Sequence, residues 1–277
     1  MNIYKVFGGL LLTIITLNSA RAQENELGLS LFGGVSGVKY EDSDLFGGYQ
    51  FGFSVDYALK LDDNWAIVLG AMGGTYNTKI VKEGFSSSYQ TEDLEGEAFE
   101  FRYKTDRFEE TLSGSYLAIP LNFRFETVGT RNIQFYAQAG VKYSINSKVT
   151  SELQWDNLMT SGYFSKWDAE LFGPEFLGFG TFPSVNQEKK FTLKDSFSVL
   201  GEIGIKQTIG RKNALYAGVF ADYDLASGNS DTKQLIAYQP QGETPLKYNS
   251  AIENNDEVKQ RLRAFYFGLK VRYAFGM

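Results

Sequence analysis

The chain has 277 residues, 27 of them basic and 33 acidic, and a formal charge of −6, a balance that argues against nucleic acid as a partner. It contains no cysteine and no histidine, which excludes disulfides, thiolate and imidazole metal sites, thiol nucleophiles and histidine general bases. Its 29 glycines and 16% aromatic residues suit a coiled sheet with tight turns.

In chain order, Lys5, the mostly apolar stretch Val6 to Leu17 and the small-x-small sequence Ala20-Arg21-Ala22 form the pattern of a secretory signal peptide. Residues 1–22 are therefore expected to be removed, leaving 23–277 as one domain. The apolar stretch falls short of the roughly 20 residues that a bilayer-spanning helix needs. No later run reaches that length, so a membrane crossing would have to use strands.

Alternation of apolar and polar residues then places strands near Glu26 to Tyr40, Gly48 to Leu61, Asn64 to Ile80, Ser113 to Glu126, Asn132 to Asn146, Asp195 to Ile209, Asn213 to Leu225 and Arg263 to Phe275. The clearest run puts Ile133, Phe135, Ala137, Ala139, Val141, Tyr143 and Ile145 on one face and Gln134, Gln138, Lys142 and Ser144 on the other. Comparable apolar faces are Phe51, Phe53, Val55, Tyr57 and Leu59, then Leu117 to Phe125, and Phe265 to Phe275. The even count fits a transmembrane antiparallel up-and-down β-barrel of eight strands. Asp62-Asp63, Thr127 to Arg131 and Gly210 to Lys212 are short turns for the periplasmic rim, and most of the other links are long loops for the extracellular rim. Aromatic girdles are expected from Trp65, Phe125 and Tyr273 at the short-turn rim and from Phe51, Tyr143, Tyr223 and Phe265 at the other. Pro120, inside a strand, cannot donate to a ladder, and a bulge or bend is expected there.

Tyr116-Leu117-Ala118-Ile119-Pro120-Leu121 with Asn122-Phe123-Arg124-Phe125, then Phe135 to Val141 and the closing Phe265 to Phe275, resemble the strand signatures of PorT-like outer-membrane β-barrel proteins of Bacteroidetes. The resemblance implies a barrel in the bacterial outer membrane, in contact with its lipid, in a family named for a component of a secretion apparatus. An envelope or secretion-system protein is the partner it suggests.

By strand parity, Asp56, Lys60, Arg124, Glu126, Lys142, Glu202, Lys206, Asp222, Asp224, Lys270 and Arg272 point inward. An eight-stranded barrel is narrow enough for side chains to fill, so these charges read as a salt-bridged plug, with an ion path as the lesser alternative. Glu202 with Lys206, and Arg124 with Glu126, are the pairs singled out. Asp222 and Asp224 have no neighbouring nucleophile, and neither Gly33-Gly34 nor Gly173 to Gly180 opens a phosphate-binding helix, so no catalytic, cofactor or metal site is expected. The loop Ser147 to Lys194 carries Trp155, Tyr163, Phe164, Trp167, Phe172, Phe176, Phe179 and Phe182. It reads as a lid folded on its own aromatics or as a partner-recognition surface, and one further hairpin within it would raise the strand count to ten. The acid-rich segment Val81 to Leu112 reads as a hydrated loop face. A loop-mediated binding role ranks above a narrow porin-like channel, and an enzyme ranks last.

Overall fold

The computed structural model describes residues 25–40, 43–128, 133–193, 195–225, 234–242, 244–251 and 263–277. The expected signal peptide lies outside them. The described strands are β1 (Glu26–Tyr40), β2 (Ser43–Lys60), β3 (Trp65–Glu92), β4 (Ala98–Glu126), β5 (Ile133–Asn146), β6 (Lys148–Phe164), β7 (Ala169–Leu171), β8 (Gly180–Thr192), β9 (Ser196–Ile209), β10 (Asn213–Asp224), β11 (Ile236–Tyr238), β12 (Leu246–Tyr248) and β13 (Arg263–Gly276), with a 3-10 turn at Glu175–Leu177.

Eight of these, β1 to β5 with β9, β10 and β13, pair antiparallel in chain order. β13 returns to β1, from Leu27 opposite Phe275 to Lys39 opposite Arg263, and the ring closes with no free edge. The long link after β5 does hold a hairpin, but β6 and β8 stand outside the ring, so the ring has eight strands and not ten. The turn after β2 closes because the Asp62 carboxylate accepts from the backbone N–H groups of Asn64 (2.8 Å) and Trp65 (2.7 Å).

The outer wall is apolar all the way round. Leu31, Phe53, Leu117, Phe135, Ile203 and Leu269, from six different strands, each have more than half of their surface exposed. A continuous belt of that kind is compatible with lipid and not with water. Trp65 packs on Phe123 and Phe125 (5.0 and 4.8 Å between ring centres) at the short-turn rim, and Tyr143 packs on Phe197 (4.9 Å) toward the other. Inside, glycines make room for neighbours: a side chain on Gly52 would meet the Phe32 ring at 2.5 Å, and one on Gly218 the Tyr136 hydroxyl at 2.4 Å.

At Pro120 the register of β4 is the same on both sides, against β3 and against β5, so the expected bulge is absent. The missing N–H is accommodated as a short gap in the ladder to β3, between the pairs Leu69–Leu121 and Met72–Ala118.

β3 and β4 run on far past the ring. Their outer halves pair to the turn after Glu92, β6 adds to β4 from Ser113–Thr150 to Glu100–Tyr163, and β8 adds to β6, giving a four-stranded head sheet. The segment expected to be a hydrated loop, Val81 to Leu112, is therefore two strands, and Phe99, Phe101, Tyr103, Phe108 and Leu112 lie buried in it. The reason lies in a line of single residues crossing all four strands: Gly84 (φ 62°), Asp106, Asn157 (φ 51°) and Pro183. On each strand the buried positions change parity there, from even to odd on β3 (Tyr76, Ile80, then Phe85, Tyr89) and from odd to even on β6 (Trp155, then Leu158). Because every strand switches together, the register survives, and the Asn157 amide ties the line by donating to Asp106 at 2.8 Å. A period-two reading fails at that line.

The stretch 234–251, with the small β11–β12 pair, packs on one face of this sheet. Tyr238 stacks on Phe179 (5.6 Å) and meets Phe99 edge-on (5.2 Å), while its backbone N–H donates to the Tyr89 hydroxyl at 2.7 Å. Leu235, Ile236, Leu246 and Ala251 are buried with it, so the head has an apolar core of its own.

Candidate functional site

Two regions carry the polar and exposed side chains that bear on function: the lumen and the head. In the lumen, all eleven inward positions named from parity face the interior, nine fully buried and Lys60 and Lys270 partly so. They fall into three layers.

At the short-turn end, Glu26 on β1 is the hub. It meets Arg124 at 2.6 Å, Lys206 at 2.9 Å and Lys60 at 3.3 Å. Glu126 lies 2.7 Å from Lys206 and 2.8 Å from Arg124, and the Tyr216 hydroxyl sits within 2.8 Å of both carboxylates. In the middle, Glu202 meets Arg272 (3.1 Å) and Lys270 (3.2 Å) and accepts from Tyr136 and Gln138 (2.7 Å each), while Asp56 lies 3.5 Å from Arg272. Toward the long-loop end, Lys142 pairs with Asp222 beneath the Tyr116 and Tyr266 rings, and Asp224 accepts from Ser198.

Arg124 and Glu126 do pair, but Glu202 and Lys206 do not. Four residues along an extended strand separate them by about 13 Å, so each finds partners across the lumen instead. Parity reading missed Glu26, at the very start of its strand, and Tyr216; it set Gln138 on the inward face but left it out of the charge network, which Gln138 and Tyr136 join by hydrogen bonds to Glu202. The ring of Tyr216 is the common floor for Arg124 (5.0 Å), Lys206 (5.2 Å) and Arg272 (5.1 Å), joining the first two layers. Along its own strand the inward neighbours of Tyr216 are Ala214 and Gly218; Lys206 and Arg272 flank it only across the ladder, so no local signal marks it.

With Glu26 included, the described lumen residues comprise six acidic and six basic side chains, each acid with a cation or hydroxyl partner. A cavity of about 40 Å³ remains between the middle and upper layers, beside Phe32, Asp56, Met72 and Lys142. That is room for roughly one to three water molecules. Among the described residues no group of three or more acids is placed to hold a metal ion.

The aromatic residues of the loop after β5 divide into two sets. Trp155, Phe164 and Phe179 are buried and Phe182 is packed beside them, all against the outer halves of β3 and β4 and the 234–251 segment, and not against one another as a separate lid. Phe99 stacks on Phe164 (4.9 Å), and Trp155 meets Phe108 at a tilt (4.4 Å). By contrast Trp167, Phe172 and Phe176 are 58, 70 and 77% exposed, on the segments flanking β7, and Tyr163 is half-buried under the Arg102 guanidinium at 4.5 Å. Lys166, next to Trp167, reaches Glu97 of the β3–β4 turn at 3.0 Å.

One buried carboxylate closes the head. Glu110 on β4 is fully buried and accepts from Ser151 (2.6 Å), from Ser250 and from the backbone N–H of Ala251 (2.7 Å). Burial pushes its pKa up from the ordinary carboxylate value, and these donors hold it back only in part.

Compared with known proteins, residues 20–173 match the family model described as outer membrane protein beta-barrel domain. No curated protein sequence matches. Among solved structures, Neisserial surface protein A aligns with 89% of this chain and 95% of its own at 9% identity and a TM-score of 0.37. Ail, the attachment invasion locus protein of Yersinia pestis, aligns with 91% of this chain and all of its own at 10% identity and 0.34. OprG from Pseudomonas aeruginosa gives 90%, 95%, 13% and 0.32.

Proposed function

We propose that this chain, which belongs to the outer membrane protein beta-barrel domain family and resides in the bacterial outer membrane, is a non-enzymatic barrel that serves as a membrane-fixed mount for its head, and that the head binds a protein or surface partner outside the cell. The observation that carries this reading is the head itself. A sheet with its own apolar core is more than a closed barrel needs, and it lifts Trp167, Phe172 and Phe176 to the surface beyond the belt. Exposed aromatics on a rigid support are the usual anchors of recognition. Work as a PorT-like accessory of a secretion or envelope assembly is the form of this function that the sequence resemblance suggests.

The alternative, a narrow porin-like channel, is opposed by the balanced, mutually paired lumen. In planar bilayers the purified protein is expected to show little or no steady conductance; large, stable unitary currents would replace the mount with a pore. In intact cells, cross-linking to neighbours is expected to drop when Trp167 and Phe176 are both changed to Ala. Equal recovery from the wild type and the double variant would leave the head without a binding role.

A further inference from the structure

On the face of the head sheet opposite the apolar core lies an open cleft of about 560 Å³. Its floor follows from the strand registers. Ser86, Lys104, Met159 and Thr181 are direct cross-strand neighbours on β3, β4, β6 and β8, and Ser88, Arg102 and Ser161 form the next row. Four strands at their ordinary spacing make a floor about 15 Å wide.

Three features of this floor point to one kind of ligand. It is paved with short hydroxyl side chains, which offer donors and acceptors at little entropic cost. Its charged row is fixed in place: Arg102 lies 3.4 Å from Glu170 and donates to Glu100, and Ser161 donates to Glu170 at 2.7 Å. Lys104 has no ion-pair partner among the described residues, and Phe172 stands exposed at the edge of the cleft. Hydroxyls and fixed charges suit the hydroxyl groups of a sugar, an exposed ring suits its C–H face, and a free ammonium suits an acidic substituent. A protein partner would need a larger desolvated apolar centre than Met159 and Phe172 provide.

We propose that this cleft is a binding site for a short acidic saccharide, with Lys104 meeting the acid group, Phe172 stacking on a sugar ring, and the exposed Ser86 and Thr181 reading hydroxyls. The inference rests on the reading of the head as a recognition platform and gives that platform a ligand class. The size of the cleft is within the range of small-ligand sites.

The test uses the full-length protein in lipid nanodiscs and titrates it calorimetrically with a short oligogalacturonate, an uncharged galactose oligomer of equal length, and a glutamate peptide of equal charge. Saturable binding of the oligogalacturonate is expected, weaker by about tenfold in Lys104→Gln and in Phe172→Ala. Both side chains are exposed, so both variants should keep the heat-modifiable gel mobility of the wild type, and Trp167→Ala should bind as the wild type does. Equal binding of the uncharged oligomer would remove Lys104 from the site. Binding of the glutamate peptide as tight as the saccharide would make this a peptide site, and absence of saccharide binding would overturn the proposal. In that last case the cellular cross-linking of the Trp167 and Phe176 variants still decides separately whether the head is a platform.

Discussion

Along β4, from Leu117 to Phe125, the apolar side chains point outward and Asn122, Arg124 and Glu126 point inward; from Phe99 to Leu112 the same strand turns its apolar side chains inward and Arg102, Lys104, Arg107 and Glu109 outward. β3 changes in the same way, from Trp65 and Leu69 facing out to Tyr76 and Ile80 facing in. Barrel and head thus share two strands and one hydrogen-bonded ladder, yet have opposite polarity. In lipid, the outer wall has to be apolar and the interior is free to hold charge, provided every charge is paired. In water, the sheet needs a buried apolar face to be stable at all. The change falls at Asn77, Ser113 and Ser115, where small polar side chains bond across the strands, and it marks the membrane boundary on the protein.

The comparison breaks most severely if the lumen charges are cut. Arg124→Ala removes one of the two cations that join Glu26 to Glu126, leaving Lys206 alone to bridge them and each carboxylate one partner short. Losing one member of a buried ionic network costs about 3–5 kcal/mol. The urea midpoint of the barrel in detergent micelles, followed by heat-modifiable mobility, should fall accordingly while protease resistance of the head at low urea is retained. An unchanged midpoint would mean that the lumen is hydrated group by group and not knitted together.

The same polarity rule explains which parts were legible in the sequence. Ring strands such as Ile133 to Ile145 alternate without interruption between chemically distinct faces, so both their existence and the lumen parity of Arg124 or Glu202 could be read directly. The head could not be read so. Its alternation is broken at Gly84, Asp106 and Asn157, and its outward face is as acidic as a loop, so Phe99, Phe101 and Phe108 were hidden among charges. Contacts between distant strands, such as Lys206 with Glu26, depend on ring closure and have no local signature. Glu26 was overlooked because a strand's first residue has no preceding alternation to assign its face.

A smaller effect sharpens the boundary. Leu121 and Thr111 both lie on the outward side of β4, one in the belt and the other in the head. Leu121→Arg puts a cation against lipid and should cost about 2–4 kcal/mol, depending on depth. Thr111→Arg adds one to a hydrated face and should stay within about 0.5 kcal/mol. Refolding equilibria into short-chain lipid vesicles measure both. Equal penalties would mean that the belt ends elsewhere than at Ser113.

The smallest effect expected lies in the head, where Glu110 is the one carboxylate that its interior holds fully buried among the described residues. Its pKa is raised by burial above the ordinary 4.5, so the folded head keeps a proton that the opened head releases. Between that ordinary value and the raised one the opened state binds fewer protons, and the stability of the head therefore declines as pH rises through the window. Glu110→Gln is close to isosteric. Its amide oxygen can accept from the Ala251 N–H, and its NH₂ can donate to the hydroxyl oxygens of Ser151 and Ser250, which then turn their hydrogens elsewhere. Hydrogen exchange at Leu235 to Tyr238, measured across mildly acidic to neutral pH and corrected for intrinsic rates, should show protection declining with pH in the wild type and flat in the variant. Protection that rises with pH in the wild type would mean that the three donors outweigh burial and that the carboxylate is held charged, which would make the head's interior, at this one residue, resemble the lumen.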